Sequence, residues 1–160
     1  NDRGLKTLLH LANQQLGQLL LVGDKDDEIP ATEGLTYRQP VPHREVPSLY
    51  NESEMVLLPY QPELVHADSI SPMKLFEAMA AGRAIIASDL PSLREILENG
   101  KNALLVDPKD PAAWKEAVSR ITRQPELAMS LAQQAKADAS AYGWQQRAEG
   151  ISRAIGLTTS

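Results

Sequence analysis

The stretch Ser69-Ile70-Ser71-Pro72-Met73-Lys74-Leu75-Phe76-Glu77-Ala78-Met79-Ala80-Ala81-Gly82-Arg83-Ala84-Ile85-Ile86-Ala87-Ser88-Asp89 reads as a helix start, a helix stop and a buried strand in immediate succession. Ser71 has N-cap chemistry and Pro72 suits the first helical position. Gly82 stands where a chain leaving a helix needs the left-handed conformation. Ala84 to Ala87 form a short continuous apolar run, the pattern of a strand covered on both faces. Against this background Glu77, a carboxylate midway along an otherwise apolar helix, requires an explanation.

Working outward, the same alternation continues in both directions. Leu5, Leu8, Leu9 and Ala12 recur at helical spacing, and Gln18 to Val22 is an apolar run stopped by Gly23-Asp24. A strand near Thr36 to Gln39, a short helix from about Pro47 to Asn51 and a strand Met55 to Leu58 halted by Pro59 follow. Downstream, a helix Ser92 to Glu98 closes at Asn99-Gly100, and a strand runs Ala103 to Val106. A helix opens at Asp110-Pro111 and reaches about Arg123. Two more helical stretches span Glu126 to Ala139 and Trp144 to Ile155, the latter with Trp144, Ala148, Ile151 and Ile155 on one face. The pattern implies an α/β class with a Rossmann-like parallel sheet and helices on both faces. Ligands of such sheets bind beyond the carboxyl ends of the strands, here the segments after Val22, Gln39, Leu58, Ala87 and Val106.

Composition narrows the function. With 160 residues, 42% apolar and 23% charged, the chain suffices for one well-cored domain. A net charge of -5 provides no broad basic field, so general nucleic-acid binding is not expected and any phosphate contact falls to a few local cations. No apolar run exceeds four residues, as in Leu19 to Val22, and the chain opens Asn1-Asp2-Arg3, which together lead to the expectation of a cytoplasmic protein without a leader or spanning segment. The chain has no cysteine, which removes thiol catalysis and cysteine zinc sites. It has no G-x-G-x-x-G, no Walker-type phosphate loop and no G-x-S-x-G elbow. His10, His43 and His66 lack metal-ligand spacing. Asp24-Lys25-Asp26 has D-x-D spacing but reads as a solvated acidic loop, and Asn51-Glu52-Ser53 is a formal glycosylation sequon without secretory context.

The helix opening at Ser71 does carry chemistry. Its first turn offers unpaired N–H groups and the positive end of the helix dipole, an anion site by construction. Lys74 opposes that dipole, a conflict that a bound phosphate would resolve. Glu77 shares a face with Met73 and Lys74, about 7.5 Å beyond Pro72 at ~1.5 Å per residue. That distance suits a ligand with a phosphate at the helix start and a polyol such as ribose at the carboxylate. The other reading is a surface pair of Glu77 with Lys74, worth ~0.2–0.5 kcal/mol. Spacing leaves both open.

The run Ser71 to Gly82, followed by Ala84-Ile85-Ile86-Ala87-Ser88-Asp89 and by Asn99-Gly100-Lys101-Asn102-Ala103-Leu104-Leu105-Val106, resembles the carboxy-terminal, nucleotide-sugar-binding domain of GT-B-fold retaining glycosyltransferases of family 4 (glycosyl transferases group 1). Val41-Pro42-His43-Arg44-Glu45-Val46-Pro47 is similar to the segment after the family's third strand. Asp107 to Ala117 and Tyr142 to Ala148 resemble its closing helices, so the likeness covers essentially the whole chain.

The resemblance implies a UDP-sugar or GDP-sugar donor held by residues 1–160, and an acceptor held by an amino-terminal domain absent from this sequence. Any membrane association would run through such an absent region. It assigns ribose binding to Glu77, the second of two family glutamates, while the first falls on Ser69, with Asp68 beside it. The distal phosphate is implied at the backbone of Ser71, Pro72, Met73 and Lys74. Arg3, preceding Gly4, matches the second member of a basic pair. The first member would lie before Asn1 on a strand this chain lacks, so the sheet is expected to miss a central first strand. The base is expected against Val41 and Pro42, with Tyr60 either stacking on it or packing inward. The implied chemistry is glycosyl transfer with retention, without cofactor or obligatory metal and with no acid/base residue assigned. Donor binding without transfer by these residues alone is the expectation. Two alternatives are a non-catalytic nucleotide-binding or interaction domain and a nucleotide-sugar epimerase.

Overall fold

The computed structural model describes residues 3–24, 28–64 and 73–143, together with Gln146 and Ser152. The described elements run α1 (Leu5–Ala12), β1 (Leu19–Val22), β2 (Leu35–Arg38), a 3-10 turn His43–Glu45 leading into α2 (Val46–Glu52), β3 (Met55–Leu58), α3 (Met73–Ala80), β4 (Ala84–Ser88), α4 (Pro91–Arg94), β5 (Leu104–Val106), α5 (Pro111–Arg123) and α6 (Pro125–Ala139). The expected N-cap Ser71 and Pro72 lie outside the described residues, as does nearly all of the expected final helix Trp144–Ile155.

Local chemistry explains the boundaries. At the end of α3, Gly82 adopts φ 64°, its N–H donates to the Met79 carbonyl at 3.0 Å, and the Arg83 N–H reaches back to the Ala78 carbonyl at 3.2 Å. This pair of bonds is a Schellman stop, and it needs a residue without a Cβ penalty in the left-handed region. At the start of α5 the Asp110 side chain accepts from the N–H groups of Ala112 and Ala113, at 2.9 and 3.0 Å, with Pro111 in the first turn.

All described strand pairs are parallel, but they form two sheets, β1-β2 and β3-β4-β5. β4 is flanked on both edges and buried along its whole length. Alternate residues serve opposite faces. Val56, Leu58, Ile85, Ala87 and Leu105 pack with Leu75, Ala78 and Met79 of α3, Leu93 of α4 and Tyr50 of α2. Met55, Leu57, Ala84, Ile86, Leu104 and Val106 pack with Leu11 of α1 and with Trp114, Ala117, Val118 and Ile121 of α5. α6 closes both layers, since Leu131 joins the second cluster and Ala135 the first. The expected α/β architecture with helices on both faces is therefore present, and α2 and α3 share one face.

One expected element is shorter than its sequence pattern. The helix assigned to Ser92–Glu98 ends at Arg94. The buried Asn102 side chain accepts from the Glu98 N–H at 2.8 Å and donates to the Ile96 carbonyl at 3.2 Å, drawing to itself backbone groups a longer helix would use. Asn102 also donates to Asp138 of α6 at 2.8 Å, and Gln134 donates to the other oxygen at 2.8 Å. These bonds, the Asn102 one foremost, hold the Asp138 carboxyl below the ordinary aspartate value of 3.8. A lowered folded value means stability that is present above the unfolded pKa and lost as pH falls through the folded one. Asn102→Ala should lower the thermal midpoint at neutral pH, by about 1–3 kcal/mol of stability, and should flatten the further decline in acid. An acid limb unchanged from the parent would mean the Asn102–Asp138 bond contributes nothing.

Candidate functional site

The carboxyl edge of β3-β4-β5 brings together α3, the segments after β2 and β3, and the chain entering α1. α3 buries Leu75, Ala78 and Met79 against the sheet, and this sets Glu77 on its α2-facing side. The Tyr50 hydroxyl of α2 donates to Glu77 Oε2 at 3.0 Å and approaches the Lys74 carbonyl at 3.4 Å. His43 Nε2 stands 3.7 Å from Oε1. Of the two readings left open by spacing, the Lys74 pair is not formed. The carboxylate faces Tyr50 and His43, while the Lys74 side chain is exposed.

The Glu77 side chain retains 27% exposure and that of His43 retains 79%, so one carboxylate oxygen is fixed from inside and the other fronts an open surface. Burial, followed by the adjacent Glu77 carboxylate, pushes the Tyr50 phenol far above its ordinary value. The hydroxyl therefore stays protonated and able to donate.

The other expected residues fall around this group. Val41 is half-buried and Pro42 exposed, immediately before the turn that carries His43 toward Glu77. Met73 is 67% exposed at the first turn of α3. Ser69, Ser71 and Pro72, with Asp68, lie outside the described residues.

Arg3 is exposed at the mouth of the same edge, because Gly4 packs against the end of β3. Gly4 has φ 86°, and a Cβ there would stand 2.0 Å from the Pro59 carbonyl oxygen. Tyr60 is 8% exposed in the core, so of its two expected roles it takes packing. Burial raises its phenol, and the Arg3 guanidinium offsets part of that rise. Two ion pairs cross the rim. Glu63, after β3, meets Lys109, after β5, at 2.6 Å, and Asp89 holds Arg94 through two hydrogen bonds. Arg94 is thus already engaged by a carboxylate.

Tyr50 was not anticipated from sequence. Its partner is 27 positions away, and the short α2 gives no periodic signal that would join it to Glu77. Among the described residues no group of three or more His, Cys, Asp or Glu side chains could hold a metal ion, and no helix is long and apolar enough to cross a membrane.

Comparison with known proteins decides the family. Residues 2–124 match the family model of glycosyl transferases group 1. The chain belongs to this family. Curated relatives of this glycosyltransferase-family chain include D-inositol 3-phosphate glycosyltransferases from Frankia alni, 31% identical over 73% of this chain and 27% of that protein, and from Corynebacterium urealyticum, 26% identical over 77% and 28%. The chain therefore spans little more than a quarter of the length of these relatives. Among solved structures, sucrose-phosphate synthase from Thermosynechococcus elongatus superposes with a TM-score of 0.78 at 23% identity, covering 98% of this chain and 43% of that one. The Anabaena protein HepE in complex with UDP-glucose superposes with a TM-score of 0.75 at 18% identity, covering 94% and 45%. At these identities the superpositions speak for the fold, and the fold is the Rossmann-like half of a GT-B glycosyltransferase.

Proposed function

We propose that this chain is the donor-binding half of a retaining glycosyltransferase, moving a sugar from a nucleoside-diphosphate sugar to an acceptor held by a separate domain. The observation that carries the reading is the Glu77 carboxylate. It sits on the α2-facing side of α3 at the carboxyl edge of the sheet, held through one oxygen by Tyr50, with the exposed His43 3.7 Å from the other. Ribose hydroxyls placed against it would set the diphosphate toward the start of α3 and Lys74, with Arg3 approaching from the β3 side. The base would then lie against Val41 and Pro42. In support, the chain belongs to a glycosyltransferase family, and HepE, of similar fold, is solved with UDP-glucose.

A retaining transfer without an enzymic nucleophile depends on stabilising the leaving diphosphate. Fixed donors and cations do this without a titrating base or a metal. Arg3, Lys74 and the α3 dipole supply that field. Titration calorimetry with UDP-, GDP- and ADP-sugars tests the reading, and failure of all three to bind would leave a domain without a donor site. Lys74→Ala should weaken a nucleoside diphosphate more than the matching nucleoside, because only the former brings charge to the first turn. Equal losses for the two would place Lys74 outside the phosphate site.

A further inference from the structure

We infer that Tyr50 is a positioning residue for donor recognition, clamping the Glu77 carboxylate in the orientation that ribose requires. The inference rests on the donor-site reading and adds to it a residue on a different helix, with a defined job.

Three observations carry it. The Tyr50 hydroxyl stands near two acceptors of α3, Glu77 Oε2 at 3.0 Å and the Lys74 carbonyl at 3.4 Å. The first bond takes the hydroxyl's single proton and fixes the side-chain torsions of a glutamate that the helix alone leaves free to rotate, while the Lys74 carbonyl lies beside the same hydroxyl without sharing that proton. The Tyr50 ring packs against the core cluster formed by α3, β3 and β4, so its hydroxyl is delivered from a rigid base. His43 faces only the other oxygen, at 3.7 Å, from an exposed position, and does not duplicate the clamp.

The division between the two oxygens has a chemical consequence. A carboxylate accepts through several lone pairs, so the hydroxyl of Tyr50 leaves Oε1 and one direction at Oε2 for a vicinal diol. Without that hydroxyl the side chain samples other rotamers, and the diol pays for the ordering on binding. Tyr50 touches no ligand in this arrangement and acts through Glu77.

The test compares UDP with 2′-deoxy-UDP, GDP with 2′-deoxy-GDP and ADP with 2′-deoxy-ADP by titration calorimetry on the parent protein, Tyr50→Phe, Glu77→Gln and the double variant, with thermal midpoints recorded for each. For the base that binds, Tyr50→Phe should reduce the preference for the ribonucleotide by roughly three- to tenfold, the size of one ordinary hydrogen bond and less than a direct bond to the charged group, because Tyr50 acts through Glu77, with a nearly unchanged melting point. In the double variant the loss should be no larger than in Glu77→Gln alone, since the two residues act as one unit. A Tyr50→Phe protein that keeps the parent's preference, or that weakens ribo- and deoxynucleotides equally, overturns the inference while leaving the ribose role of Glu77 standing. A Glu77→Gln protein with the parent's preference, or a parent that binds none of the three bases, overturns the donor-site reading and the clamp with it.

Discussion

Glu77→Gln is expected to lower affinity for the nucleoside-diphosphate donor by roughly ten- to a hundredfold, because two hydrogen bonds to a charged acceptor, each worth about 1.5–3 kcal/mol, become bonds to a neutral amide. The fold should hardly register the change. Glu77 lies at the margin of α3 rather than among Leu75, Ala78 and Met79, and a glutamine amide oxygen can still accept from the Tyr50 hydroxyl. Calorimetry should therefore show a large loss of binding beside a thermal midpoint close to the parent's. The loss should shrink for a 2′-deoxy ligand, which has one hydroxyl fewer to present. A variant that melts early yet binds normally would make Glu77 a structural residue, its carboxylate there to receive Tyr50.

Gly4→Ala is the second large effect, and it acts on stability. Gly4 combines φ 86° with a position where a Cβ would stand 2.0 Å from the Pro59 carbonyl oxygen, which is backbone and cannot rotate away. The left-handed conformation costs an alanine about 1–2 kcal/mol, and forcing apart two packed segments costs about 1–3 kcal/mol more. The comparison that isolates the contact is Gly100→Ala. Gly100 has φ 77° with nothing within 4 Å of its added Cβ, so it carries the backbone cost alone. Thermal unfolding should show Gly4→Ala melting well below Gly100→Ala. Equal midpoints would mean that α1 does not rest on the end of β3. Since Arg3 precedes the contact, Gly4→Ala should also weaken diphosphate binding in whatever fraction remains folded.

The strands and most helices were legible because their signals are local. Met55–Leu58 was read with the observed bounds, and Asp110-Pro111 and Gly82 marked a helix start and a helix stop by chemistry that acts within a turn. The continuous apolar run of β4 announced a strand buried on both faces, which it is. The early end of α4 was not legible. It depends on Asn102, whose amide competes for backbone groups from the far side of a turn and is itself anchored on α6.

By itself the sequence determined the class of fold, the order of elements and the position of a lone carboxylate on a helix at the ligand-binding edge. All of these follow from periodicity and capping, which span a few residues. Only the tertiary structure decided what that carboxylate faces. Along an isolated helix Glu77 has Lys74 within reach, three positions away. In the folded chain α2 and α3 lie on one face of the sheet and Tyr50 meets Glu77 across 27 positions. The physical reason is that an exposed ion pair between neighbours contributes only tenths of a kcal/mol and gives way easily. A part-buried hydroxyl held by core packing presents a fixed donor, and where it points is set by how two helices dock, which no local pattern encodes.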